Sequence, residues 1–229
     1  MASSLPDVQV VVARYKEDLS WTRDLDLPVL VYDKSGESLV DTVDGLQVRP
    51  LPNMGRESHT YLHHLVTQYD NLAPFTAFLQ GSCIDHLAPG ENAKTLSERI
   101  KELAARKAPF KGLADFSIRC DALGRPHNLR DPEFKGRWAG WGKDIPLGEV
   151  YAKLFSGPVP ESFHIRAPAG LLFVSRERVR LRPLGLYKLA LSLSEADPDD
   201  ANNTGHALER LWYLMFNGYA ALNRDDYTL

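Results

Sequence analysis

Short apolar runs alternating with polar turns dominate the first eighty residues. Val8-Gln9-Val10-Val11-Val12 is a β-branched run and reads as a buried strand. Charged residues from Arg14 to Asp18 follow it and lead into a helix expected around Leu19 to Leu25. Pro28 opens a second run, Val29-Leu30-Val31-Tyr32, which Asp33-Lys34-Ser35-Gly36 stops. Leu46-Gln47-Val48 is a weaker third strand, ended by Pro50 and Pro52. Tyr61, Leu62, Leu65, Val66 and Tyr69 recur at helical spacing, so an amphipathic helix is expected from Glu57 to Tyr69. Phe75 to Leu79, after Pro74, is the fourth strand.

This alternation predicts an α/β fold with a mostly parallel, doubly wound sheet flanked by helices. In such sheets ligands bind beyond the carboxyl ends of the strands. The segments that matter are then Ala13 to Asp18, Asp33 to Gly36, Asn53 to Glu57 and Gln80 to His86.

The second half is less regular. Thr95-Leu96-Ser97-Glu98 has the form of a capping box, opening a helix with Leu96, Ile100 and Leu103 inward. Residues 109–148 carry many Gly, Pro and charged residues with no clear period, the mark of functional loops or a lid. Gly170 to Val174 reads as a strand, Leu184 to Glu195 as a helix, and Gly205 to Ala221 as the last helix. Leu208, Leu211, Trp212, Met215 and Tyr219 form the apolar face of that last helix.

Composition narrows the function classes. With 229 residues, 44% hydrophobic and 25% charged, the chain is long enough for a sizeable core. A formal net charge of -3 leaves no basic footprint for nucleic acid. No apolar run approaches the ~20 residues of a membrane span, and Met1 to Asp7 lacks the basic start of a secretory signal. Two cysteines, Cys83 and Cys120, are too few for a disulfide framework. The expectation is a cytoplasmic protein forming one domain over residues 1–229.

Three segments carry candidate chemistry. Asn53-Met54-Gly55-Arg56-Glu57 sits just before a helix. Helix-terminal N–H groups with the Arg56 guanidinium make an anion site, or the segment is only a turn with Glu57 complementing the helix dipole. Gln80 to His86 ends the fourth strand; Asp85 and His86 could bind a hard metal or serve as acid and base, or Asp85 simply caps a turn. Trp138 and Trp141 lie in a Gly-rich stretch, suited either to stacking on sugar rings under a lid or to filling a core edge. His59 and His63 are one helical turn apart without an evident third ligand, so helix-surface histidines are expected rather than a metal site. No Gly-x-Ser-x-Gly elbow is present, which argues against a serine hydrolase.

The order of strands, the Asn53-x-Gly55-Arg56-Glu57 turn, Phe78-Leu79-Gln80-Gly81, Tyr61-Leu62, Tyr69-Asp70 and Glu209-Arg210-Leu211-Trp212 together resemble glycosyltransferases of the GT-A type. The resemblance is closest to an uncharacterised family of bacterial and fungal proteins, a domain of unknown function, and touches residues 8–217. It implies a nucleotide-binding half, residues 1–90, and an acceptor-side half, residues 91–229. It implies a nucleotide-sugar donor, with Arg14 and Asp33 meeting the nucleoside and Asn53, Gly55 and Arg56 meeting the diphosphate or sugar. Gln80 and Ser82 stand where such enzymes carry Asp-x-Asp, and they are poor ligands for a hard cation. No cofactor is therefore expected to be required, and manganese or magnesium enters only if Asp85 supplies a ligand.

In the same reading Glu209 is the base that deprotonates the hydroxyl of a glycan or other acceptor, and Asp85 is a second catalytic candidate. His206 is a partner of Glu209 or a cap, and Trp138 and Trp141 bind the acceptor. Glu209 lies in the first turns of its helix, where the dipole favours an ionised carboxylate. The function expected is sugar transfer from a nucleotide sugar to a hydroxyl; the alternatives are a GT-A-like binding or scaffold protein that has lost transfer, and a sugar-nucleotide hydrolase.

Overall fold

The computed structural model of the chain describes residues 7–37, 46–115, 117–126, 143–166 and 170–217. β1 (Val8–Arg14), β2 (Val29–Asp33), β3 (Gln47–Pro50) and β4 (Phe75–Gln80) run parallel. With β5 (Phe110–Gly112) and β8 (Leu172–Ser175) they form one six-stranded sheet in the order β3-β2-β1-β4-β8-β5. β6 (Ser117–Cys120) and β7 (Phe163–Arg166) pair separately as an antiparallel ribbon. The helices are α1 (Arg56–Gln68), α2 (Ala93–Ala105), α3 (Leu147–Leu154), α4 (Arg176–Arg180), α5 (Leu184–Glu195) and α6 (Thr204–Asn217).

β1 is a near-continuous apolar run because both of its faces are covered. Val10 and Val12 join Val31, Ala77, Leu79 and Phe173 in a layer closed by Leu96 and Ile100 of α2. Val11 and Ala13 point the other way, onto Tyr32, Phe78 and the helices α1, α3, α5 and α6. There Tyr61 of α1 lies against Phe78 and Trp212, with ring centroids 4.9 and 6.1 Å away. The expected inward face of α1 is largely observed: Tyr61, Leu62 and Leu65 are buried, and Val66 and Tyr69 are partly buried against the same cluster. Tyr69 Oη donates to Arg182 O at 2.6 Å, and Arg182 Nε donates to Met215 O at 3.1 Å. These bonds tie α1 and α6 to the α4–α5 connection.

Several expectations are corrected. Leu19 to Leu25 is not an α-helix but a single 3-10 segment, Ser20–Asp24, with Leu19 and Leu25 buried. α2 begins earlier than Thr95: Asn92 is the cap, accepting from the N–H of Thr95 while Thr95 Oγ1 accepts from the N–H of Asn92. In the irregular stretch, β5, β6 and the start of α3 emerge, none of which carries a long period. β8, expected within Gly170 to Val174, runs antiparallel to both β4 and β5. Its last residue, Ser175, faces Phe75 at the start of β4. The chain therefore enters β8 at the carboxyl end of the parallel strands, which brings Gly170 beside Gln80.

Candidate functional site

A crevice of about 420 Å³ opens where β1, β2 and β4 end. Ala13, Arg14, Tyr15 and Glu17 line it from β1 and the turn beyond, Lys34 from β2, and Gln80, Ser82 and His86 from β4 and the turn after it. Asn53, Arg56 and Glu57 close it from the turn that starts α1. A larger cavity of about 1010 Å³ lies at the amino ends of the same strands, around Val8, Pro28 and Phe75. A third, of about 630 Å³, lies between α3 and the α5–α6 connection. The carboxyl-end crevice is the candidate site because the strand order turns there and cationic, amide and carboxylate groups converge.

Arg14 and Asp33, expected at the nucleoside, are bound to each other. Arg14 Nη1 lies 2.6 Å from Asp33 Oδ1, both side chains are buried, and Ser35 Oγ donates to Asp33 Oδ2 at 2.7 Å. Arg14 Nε also donates to Glu17 O at 2.9 Å. Asp33 neutralises Arg14 from beneath and is not among the residues lining the crevice. The pair orders the floor, and a ligand here meets Arg14 as part of a neutral unit.

Lys34, which periodicity and motif left unmarked, is buried at the crevice wall. Its ammonium donates to Met54 O at 2.7 Å and to Arg56 O. Burial lowers its pKa to about 8, with the Glu57 charge pulling the other way. Lys34 thereby clamps the turn before α1 to the end of β2, and it puts a desolvated cation at the start of α1.

The turn itself is strained. Gly55 and Arg56 both have left-handed backbone angles, φ 57° and φ 53°, a cost for Arg56 of the order of 1–2 kcal/mol. Packing holds it: the Gly55 N–H donates to Pro198 O at 3.0 Å, and a Cβ on Gly55 would collide with Ser194 Oγ and sit 2.9 Å from His59 Cβ. The Arg56 guanidinium is 41% exposed, 3.7 Å from Glu57 Oε2 and 3.8 Å from Asp200 Oδ2. These separations are long for ion pairs, and the exposed fork faces the crevice it lines.

Glu57 has only an 8% exposed side chain. Its Oε1 is buried without a hydrogen-bond partner among the described residues. Gly170, at φ 65°, lets the chain pass so close that an added Cβ would lie 3.0 Å from Gln80 Nε2 and 3.2 Å from Glu57 Cγ.

Glu209 stands behind this wall, on the second turn of α6, and does not line the crevice. Its surroundings oppose the ionisation that its place near the helix start favours. Burial, reinforced by the Glu57 charge, pushes its pKa up to about 8, against the pull of Arg210 and Arg56. The dipole term, worth at most ~1–2 kcal/mol near a helix start, loses to desolvation beside a like charge. Tyr61 Oη, one turn beyond Glu57, is buried without a partner in the same region and feels both carboxyls.

His206 Nδ1 lies 3.1 Å from Asp200 Oδ2, while Asp200 Oδ1 accepts from the Gly205 N–H at 2.7 Å. The pair caps the start of α6, and Asp200 links it to Arg56. Asp85 is exposed on the 3-10 turn Cys83–His86 and is not among the lining residues. Trp138 and Trp141 lie outside the described residues. Of His59 and His63, expected on the helix surface, His59 is buried and His63 half-buried; His64 is buried as well, and burial pulls the pKa values of His59 and His64 down to about 4 and about 3. Among the described residues no group of three or more His, Cys, Asp or Glu is arranged to hold a metal ion, and no helix is long and apolar enough to cross a membrane.

The fold and the crevice define a class: a mixed α/β protein whose mostly parallel sheet carries a polar, cation-bearing pocket beyond its strand ends. Residues 10–227 match the family described as "Protein of unknown function (DUF3431)", and the chain belongs to that family. No curated protein matches the chain.

Proposed function

We propose that the protein binds a nucleotide sugar in the carboxyl-end crevice and transfers the sugar to a hydroxyl acceptor. The observation that carries this reading is the convergence of Lys34, Arg56 and the start of α1 on one side of the crevice. Two cations and helix-terminal N–H groups suit a diphosphate. As the acceptor oxygen bonds to the anomeric carbon, the bond to the diphosphate breaks and its electrons leave with the diphosphate. Lys34 and Arg56 would stabilise that leaving charge, the part that a metal ion supplies in other phosphate chemistry. Manganese or magnesium is not required in this reading, and Asp85 remains the carboxylate that would bring one in. Glu209, expected as the base, does not line the crevice, so in this reading the acceptor's proton passes to the leaving diphosphate as the new bond forms.

A second reading, a binding protein that no longer transfers, is favoured by Gln80 and Ser82 lining the crevice at β4. A thermal-shift screen of nucleoside diphosphates and their sugar conjugates, with and without manganese, followed by a turnover assay, separates the two. Stabilisation with turnover supports transfer, and stabilisation without turnover supports binding alone. Release of free sugar would make the protein a hydrolase. Absence of any stabilisation refutes the nucleotide-sugar reading.

A further inference from the structure

The crevice lining carries two cations, Lys34 and Arg56, and three acceptor-bearing side chains, Glu57, Gln80 and Ser82, with Arg56 Nε 3.7 Å from Glu57 Oε2. Among the acceptors one atom stands out. Glu57 Oε1 is an acceptor, buried, with no hydrogen-bond partner among the described residues. A buried acceptor without a partner is unfavourable, because it has given up water and gained nothing in return. The surroundings hold it there: Gly170 passes so close that an added Cβ would lie 3.2 Å from Glu57 Cγ, and Lys34 fixes the backbone of the turn through the Met54 and Arg56 carbonyls. Tyr61 Oη, one turn further along α1, is likewise buried without a hydrogen-bond partner among the described residues.

We propose that Glu57 is the specificity-determining acceptor for a hydroxyl of the donor's sugar, seated between Gln80, Gly170 and the start of α1. This rests on the nucleotide-sugar reading above and adds which residue of the crevice takes the sugar. A carboxylate repels a phosphate, so the diphosphate belongs with Lys34 and Arg56, and an uncharged hydroxyl donor belongs with Glu57. The terminal torsion of a glutamate is soft, so either oxygen can turn to the crevice wall. Gln80 Nε2, close by Gly170, offers a donor to a second oxygen of the same ring.

The test uses the full chain and calorimetry, because binding can be read without knowing the acceptor. The probes are UDP and UDP-glucose, GDP and GDP-mannose, and ADP and ADP-glucose. For the base that binds, the sugar conjugate should bind at least ten times more tightly than the bare diphosphate. Glu57→Gln should weaken the conjugate ~10- to 100-fold, the range of one charge-assisted hydrogen bond, and change the bare diphosphate less than about threefold. Glu57→Asp, which keeps the charge but withdraws it, should lose an intermediate amount, so the result does not depend on one variant. Arg56→Ala should weaken conjugate and diphosphate alike. A conjugate no tighter than its diphosphate, or one that Glu57→Gln in a folded protein leaves unchanged, overturns the assignment while the diphosphate reading stands. Manganese binding that disappears in Glu57→Gln would make the oxygen a metal ligand and also overturn it. If no probe binds wild type, or if binding ignores Arg56→Ala, the nucleotide-sugar reading falls and this assignment falls with it.

Discussion

Replacing Glu209 by Gln removes one titrating group and little else, since the two side chains share shape and polarity. The native carboxyl holds its proton up to about pH 8, against an ordinary value of 4.5. Between those values the folded protein binds more protons than the unfolded chain. Wild-type stability therefore falls as pH rises through that window, and below 4.5 the group contributes nothing. Three and a half units at ~1.4 kcal/mol each set an upper bound of about 5 kcal/mol. The side chain is 13% exposed, and water reaching it reduces the expected loss to about 2–4 kcal/mol. Glu209→Gln should match wild type near pH 5, where both side chains are neutral, and exceed its stability by that amount at pH 9. Urea titrations at pH 5, 7 and 9, with the denaturant slope checked for constancy, read the difference directly. A gap between variant and wild type that stays constant within ~0.5 kcal/mol across this range would refute the buried, proton-holding carboxyl.

The buried histidines act at the other end of the pH scale. His59 and His64 are held to about 4 and about 3 by burial, so the unfolded chain binds protons first and stability falls as pH drops below ~6.5, by up to about 2 kcal/mol per unit; melting temperatures from pH 7 to 4 should show this, and His64→Gln should flatten it. Gly55→Ala should cost about 2–4 kcal/mol, because it adds left-handed strain to a collision with Ser194, and its urea midpoint should recover in part when Ser194 is changed to Gly. Arg56→Ala should weaken nucleotide binding by ~1.5–3 kcal/mol, with Arg56→Lys restoring only part, as measured by calorimetry. Cys83, its thiol pushed up to about 12 by burial, should resist alkylation by iodoacetamide at pH 8 in the native protein and react once unfolded.

What the sequence disclosed follows from the range of the interactions involved. β1, β2 and β4 were legible because their apolar runs are local and covered on both faces by the sheet's own helices. α5 was legible to the residue, opened by Pro183 and closed beyond Glu195. β6 and β7 were not, because Ser117–Cys120 and Phe163–Arg166 are short, half-exposed and defined only by pairing with each other. The direction of β8 was equally hidden: Leu172–Ser175 is apolar whichever way it runs, and only its partners Phe75 to Phe78 fix it as antiparallel.

The candidate site divides along the same line. Its location beyond the strand ends was readable, and Arg14, Asn53, Arg56, Gln80 and Ser82 do line one crevice. Its electrostatics were not readable, because each charge is set by a residue distant in sequence. Asp33 takes Arg14 out of play across 19 positions, and Lys34 becomes a desolvated cation only because Met54 and Arg56 fold over it. Glu209 looked ionised from its place on α6, yet burial, reinforced by Glu57 on a helix that starts about 150 residues earlier in the chain, shifts it toward the neutral form. That coupling also changes which carboxylate a ligand meets. Glu209 is set back from the crevice, and the carboxyl that lines it is Glu57, placed there by the left-handed Gly55-Arg56 turn. Relaxing that turn would withdraw Glu57 and Arg56 together, so a left-handed backbone, costly at Arg56 alone, fixes where both side chains meet the crevice.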